Sequence, residues 1–279
     1  MKHDQSTFDR RTVLRTAAVL SAGLAGCLNG STETGDGTTT PNDDSDEQGI
    51  LRQVAVEGTE LGVELGSVAD VDRVNLIQPN GELFGTREVA AGVQQVSFEI
   101  GTAYDPGEYR ILAVQNGETA AETSLEIRPQ LEIVDVGLFR NNPDKPWDEV
   151  YGESKTDTKK NGEAFVTVAN TGTGPEAVIE LRFVGDVPNP IENPHGSGIH
   201  DSDAVSILPG DEIDLFSNSF PFGAEIGEKG MGCLITGNEG QFKVTFEVRT
   251  TTQNVERDFN VQYSGSDVMH DCLIEITEV

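Results

Sequence analysis

Phe165-Val166-Thr167-Val168-Ala169-Asn170-Thr171-Gly172-Thr173-Gly174-Pro175, running on into Glu176-Ala177-Val178-Ile179-Glu180-Leu181-Arg182-Phe183, is the stretch on which the fold turns. Two alternating runs flank a segment of Asn, Thr, Gly and Pro. Period-two alternation places every second side chain on one face of a strand, and the intervening residues are those that favour turns. Ala177, Ile179, Leu181 and Phe183 are expected on one face, Glu180 and Arg182 on the other.

The same pattern continues toward the C-terminus. Phe242, Val244, Phe246 and Val248 alternate with Lys243, Thr245, Glu247 and Arg249, which are expected to face solvent. Val255, Arg257, Phe259, Val261 and Tyr263 predict a further strand, and Cys272, Ile274 and Ile276 another. Upstream, Leu131-Glu132-Ile133-Val134-Asp135-Val136 opens this region, and a polar loop from Asn141 to Gly162 follows it. Gly185 to Asp203 and Phe220 to Gly240 read as long irregular stretches.

Toward the N-terminus, short strands recur from Ile50 to Arg128 without a helical period. Val54 and Val56, then Leu61, Val63 and Leu65, then Val74 and Leu76 precede the hairpin dipeptide Asn80-Gly81. Val96, Phe98 and Ile100 follow, then the turn Asp105-Pro106-Gly107 and the run Tyr109, Ile111, Ala113. Asn116-Gly117 turns once more before Leu125 and Ile127. About seven short strands in this span predict a small β-sandwich. Arg128-Pro129-Gln130 reads as the link to the next sandwich, because proline ends one strand and the pattern restarts at once. The expected fold class is therefore all-β, with immunoglobulin-like β-sandwich domains over residues 50–129 and 130–279.

The strand leading into Asn170-Thr171-Gly172, the Gly174-Pro175 turn and the second strand resemble CARDB-type and related immunoglobulin-like modules of prokaryotic surface proteins. Ile207-Leu208-Pro209-Gly210-Asp211-Glu212 is similar to their proline-glycine-acid turn before a long strand. The resemblance covers Leu131 to Leu215. It implies a sandwich with an adhesive or spacer role and carries no catalytic residues. The two irregular stretches depart from the family in length.

At the start of the chain, Asp9-Arg10-Arg11-Thr12-Val13-Leu14-Arg15 puts the paired Arg10 and Arg11 ahead of the mildly apolar Thr16–Gly26. That run is shorter than the roughly 20 residues a membrane-spanning helix needs. A basic start, a brief apolar stretch and small residues mark an export signal, here of the twin-arginine (Tat) type over residues 1–26. Leu24-Ala25-Gly26-Cys27 resembles a lipobox, which implies cleavage before Cys27 and a lipid on its thiol. The expected location is then the outer face of the cytoplasmic membrane, held by the lipid, since two acyl chains anchor stably and one does not. The alternatives are an ordinary cleaved signal with an unrelated cysteine, or a buried apolar helix. Residues 27–49 are mostly Ser, Thr, Gly, Asn and acids, with Asp43-Asp44-Ser45-Asp46-Glu47 near their end. Such a segment buries too little to offset its ordering entropy and is expected to be a disordered acidic tether of about 25 Å end to end. The acid cluster is either a calcium site or a solvated spacer.

The chain carries a formal net charge of −29, and loss of Lys2, Arg10, Arg11 and Arg15 with Asp4 and Asp9 takes it to −31. That charge repels nucleic acid, and no basic stripe offsets it. Nucleic-acid binding is excluded. So acidic a chain with only seven lysines resembles proteins of extreme halophiles, where a Debye length of about 3 Å at molar salt screens self-repulsion.

With Cys27 assigned to the lipid, Cys233 and Cys272 are an even pair in an exported protein, either a disulfide or two buried thiols. A bridge would close a 39-residue separation, worth roughly 4 kcal/mol on the chain-entropy model. His195 and His200 lie in the Gly185–Asp203 loop beside Asp201 and Asp203, and His270 precedes Asp271. They are candidates for a zinc or copper site or are surface loop histidines. Met269-His270-Asp271-Cys272 runs in the reverse of the blue-copper order, and neither His nor Met follows Cys272. No Gly-x-Ser-x-Gly elbow or nucleotide fingerprint is present. Trp147 and Tyr151 share one loop, and Phe216, Phe220 and Phe222 another stretch. These aromatics either form a partner surface, with Trp147, Tyr151, Phe220 and Phe222 as its candidates, or plug the sandwich ends. The expectation is a non-catalytic binding, adhesion or spacer lipoprotein without a cofactor, contacting the membrane through its lipid and an unknown surface protein or glycan. The alternative is an exported metal-binding or redox accessory protein using the loop histidines.

Overall fold

The computed structural model describes residues 49–67, 70–141, 162–222, 231–233, 238–251, 253–265 and 271–279. The export signal with Arg10 and Arg11, Cys27 and the acidic tether lie outside the described residues, as do Trp147, Tyr151 and His270.

Two immunoglobulin-like sandwiches follow one another along the chain. In the first, β1 (Leu51–Glu57), β2 (Glu60–Leu65) and β5 (Gln95–Glu99) form a sheet in the order β1-β2-β5. The second layer is β4 (Leu83–Glu88), β3 (Arg73–Ile77), β6 (Gly107–Gln115) and β7 (Glu118–Ile127), in that order. Leu61 and Val63 from one sheet and Val74, Leu76, Tyr109 and Ile111 from the other are buried in one cluster. The fourth strand thus pairs with the third, whereas in a constant-type immunoglobulin domain it joins the first two. Asn116 and Gly117 both have positive φ, 52° and 84°, as a two-residue type I′ hairpin turn requires.

Tyr109, near the start of β6, is fully buried and its hydroxyl donates to the Asp105 carbonyl at 3.0 Å. This is the tyrosine corner of sandwich folds, a phenol tying the entry of the sixth strand to the backbone just upstream. Burial, reinforced by the nearby Asp105 charge, pushes the Tyr109 hydroxyl up to about 12. Tyr104 and Tyr263 are raised as well, chiefly by burial. A phenol whose proton is held more tightly when folded contributes fully below its unfolded pKa of about 10, and the contribution is lost as pH rises toward the folded value. The protein is therefore expected to lose stability between about pH 10 and 12, measured by urea unfolding at stepped pH. Tyr109→Phe is expected to cost about 1 kcal/mol at neutral pH for the lost hydrogen bond and to shallow that alkaline decline.

The second sandwich repeats the plan with an addition. One sheet is β12 (Glu212–Phe216), β9 (Ala164–Asn170) and β8 (Leu131–Leu138). The other is β11 (Val205–Ile207), β10 (Glu176–Gly185), β13 (Asn238–Val248), β14 (Val255–Gly265) and β15 (Cys272–Glu278). β15 has no counterpart in the first sandwich. A short 3₁₀ turn, Phe139–Asn141, follows β8, and among the described residues no helix is long and apolar enough to cross a membrane.

Three expectations are corrected. A register shift between Val178 and Glu180 makes a bulge in β10, so the alternation changes phase. Val178, Leu181 and Phe183 enter the core cluster, and Ile179, expected on that face, is not among them. Thr245, expected in solvent, is buried at 4% exposure because β13 is an inner strand of the five-stranded sheet. The acid turn at Pro209-Gly210-Asp211 leads into a strand of only five residues, β12, rather than a long one.

The link Arg128-Pro129-Gln130 is held on both sides. Thr171 N donates to Gln130 O at 2.9 Å, and Thr173 N and Gly174 N donate to Arg128 O at 2.8 and 3.2 Å. Arg128 N returns a bond to Thr173 Oγ1 at 3.1 Å, and that hydroxyl donates to Glu126 O at 2.7 Å. Asn170, buried at 1% exposure, organises the turn. Its Oδ1 accepts from Gln130 N and Gly172 N, while its Nδ2 donates to Gly174 O and Ile207 O. Arg249 adds a bond from Nη1 to Thr102 Oγ1 of the first sandwich at 2.8 Å. The Asn-Thr-Gly turn is thus a clamp on the inter-sandwich strand.

Candidate functional site

The irregular connection between β10 and β11 is where the second sandwich departs from a minimal module. β11 pairs only with the start of β10, at Glu176–Val178, leaving the far half of that edge without a strand partner. The loop covers it. Phe183 and Ile191 form an isolated antiparallel bridge, with Ile191 N to Phe183 O at 2.7 Å. Ser197 O accepts from Leu181 N at 2.8 Å, and a second bridge joins Ile199 to Ser217 beyond β12. Covering an edge in this way satisfies backbone groups that would otherwise recruit another strand.

The covering loop and the chain after β12 enclose a groove of about 840 Å³. Its apolar wall is Pro188, Pro190, Ile191, Pro194 and the half-buried Phe220. Its polar wall includes Asn189 and Asn218, whose amides are held by the backbone. Asn189 Nδ2 donates to Phe220 O at 3.0 Å and Asn218 Nδ2 to His195 O at 2.8 Å. Asn189 N to Pro221 O, at 3.0 Å, and Asn218 N to Gly198 O, at 2.9 Å, tie the same two segments together. Among the described residues Glu192 is the one acid lining it, in a chain with 48 acids. A second hollow of about 480 Å³ shares His195 and Asn218 with the first and is lined further by Ser197, His200, Asp201 and Asp203.

The sequence candidates are therefore divided. His195 and His200 do lie on one hollow, with His200 Nε2 3.2 Å from Asp201 Oδ2. Among the described residues, however, no three His, Cys, Asp or Glu side chains are placed to hold a metal ion. Phe220 lines the groove, but Phe222 is corrected from surface to core. It is fully buried, with ring centroids 6.2 Å from Phe183 and 5.4 Å from Phe242. Phe216 packs edge-on against Phe139 at 5.6 Å. Cys233 and Cys272 are joined by a disulfide with a Cα–Cα distance of 5.5 Å. Asn189 and Asn218 were not singled out in the sequence. Their signal was the Pro188-Asn189-Pro190 and Asn193-Pro194 punctuation, which marks turns but not walls.

No protein-family model and no curated protein matches this chain. Among solved structures, it is similar to a two-domain fibronectin type III segment of chicken tenascin. The identity is 12%, covering 81% of this chain and 97% of that one, with a TM-score of 0.26. The human OSCAR ligand-binding domain matches at 11% identity over 81% of this chain and 92% of that one, TM-score 0.21. A β-glucuronidase of glycoside hydrolase family 2 matches at 11% identity over 76% of this chain, TM-score 0.22, and the chain spans 19% of that enzyme's length. The sandwich assignment rests on strand order and on the tyrosine corner.

Proposed function

We propose that the protein is a non-catalytic binding and spacer module displayed at the cell surface, exported by the Tat route and tethered through a lipid on Cys27. The clamp at Arg128–Gln130 is the observation that carries this reading. A chain made of two sandwiches joined by three extended residues would swivel, and inter-domain motion is the ordinary expectation without a tight interface. Here the turn of the second sandwich grips the linker through backbone bonds and through the Asn170 and Thr173 side chains, so the two act as one spacer that presents the β10–β11 groove at a set position. Amides, prolines and a phenyl ring line that groove, and such walls suit recognition.

Cell fractionation tests the anchoring. The wild-type protein is expected in the membrane fraction, released by detergent, and Cys27→Ser is expected in the soluble or secreted fraction. A Cys27→Ser protein that stays with the membrane would overturn the lipid anchor.

A further inference from the structure

We propose that the β10–β11 groove binds a neutral oligosaccharide, an assignment that rests on the surface-module reading and names the ligand class of its site. Three features of the walls point there. The first is charge. Among the described residues the groove has one carboxylate, Glu192, on a chain of net charge −29. The surrounding field repels an anionic ligand, and a cationic one would be drawn to the paired Asp201 and Asp203 of the adjoining hollow rather than to these walls.

The second is the pairing of apolar and amide walls. Pro188, Pro190 and Pro194 present ring carbons and no N–H donors, and Phe220 adds an aromatic face. Sugar rings have C–H faces that pack on such surfaces and an equator of hydroxyls that both donate and accept. Asn189 and Asn218 answer the hydroxyls. An amide has two donors and an oxygen with two lone pairs; one donor of each is already spent on a backbone carbonyl, Phe220 O and His195 O, and Asn218 Oδ1 accepts from Ser219 Oγ at 3.3 Å, leaving it one lone pair. The bond to the carbonyl sets the plane of the amide, so its remaining groups are oriented before ligand arrives.

The third is extent. The second hollow shares His195 and Asn218 as its wall and supplies Ser197, Asp201 and Asp203. A ligand seated on Phe220 can continue past His195 into this polar hollow, which favours a chain of sugars over a single ring.

The test uses the purified chain on an array of immobilised glycans, with neutral gluco-, manno- and galacto-oligosaccharides beside sialylated and uronic-acid glycans. Hits are followed by titration calorimetry with the free oligosaccharide. Binding to at least one neutral series, with affinity rising with chain length, is expected. Phe220→Ala and Asn218→Ala are each expected to weaken it at least tenfold. Asn193→Arg, on the exposed groove wall and clear of the core, is expected to block binding with an unchanged melting temperature. No neutral glycan bound, equal binding by Asn193→Arg, preference for uronic-acid glycans, or binding of a neutral proline-rich peptide in place of glycans would each overturn the assignment. The fractionation of Cys27→Ser does not depend on ligand, so loss of the glycan assignment and loss of the surface reading are told apart.

Discussion

Gly172→Val is expected to unfold in two calorimetric steps where the wild-type body unfolds in one. A side chain at Gly172 would overlap the Arg128 carbonyl oxygen and the Gln130 amide nitrogen, and its Cβ would sit 2.7 Å from the Pro129 carbonyl carbon. All three are backbone atoms and cannot swing away. The turn must lift from the linker, and the bonds between Thr171–Gly174 and Glu126–Gln130, five of them at 3.2 Å or less, go with it. At about 1 kcal/mol net for each hydrogen bond, the coupling lost is roughly 3–5 kcal/mol. Strands β1–β7 are then expected to melt independently of β8–β15. A single unchanged transition in the variant would show that the clamp does not couple them. Gly174, where a Cβ would run into the Tyr104 hydroxyl and lie 2.9 Å from Ile127 Cγ2, is expected to give the same result when replaced by valine.

Removal of the disulfide is expected to be nearly as costly and confined to the second sandwich. Cys233 and Cys272 are buried, at 0% and 1% exposure, and 39 residues apart. The bridge restricts the unfolded chain, and its loss in Cys233→Ser/Cys272→Ser is expected to cost roughly 4 kcal/mol. At 2–4 °C for each kcal/mol in a body of this size, the melting temperature falls by about 8–16 °C. The physical reason is the exposed position of β15. It is the outermost strand, pairs with β14 alone, and leaves Leu273 64% exposed. Apart from the bridge, its start is held by Arg140, whose Nη2 donates to Cys272 O at 2.7 Å. Dithiothreitol is expected to bring the wild-type protein to the same melting temperature and to leave the double variant unmoved. Equal melting temperatures with and without the bridge would overturn this role.

What could be read directly was whatever depends on neighbours in sequence. Asn116-Gly117 demands its turn through two positive φ angles, and Leu61, Val63 and Leu65 alternate into the core as their spacing requires. Alternation failed where a bulge intervened. The extra residue at Ile179 belongs to pairing with β13, and nothing local announces it. Thr245 failed for a related reason: a strand flanked on both sides has less solvent to offer its polar face. Phe222 could be read as surface or as core because its apolar neighbours Phe183 and Phe242 are 39 and 20 residues away in sequence.

Composition and local pattern settled the class: two runs of short strands, turns at Asn-Gly and Pro-Gly positions, and a net charge of −29. Those properties are sums over near neighbours, and a sequence displays them in order. Tertiary structure alone decided that β15 closes the sheet, that the Asn170–Pro175 turn clamps the linker, and that Asn189 and Asn218 face the same groove as Phe220. Each of these joins residues tens of positions apart, and the energy that selects such a pairing comes from burial and backbone bonds formed only once the sheets have met.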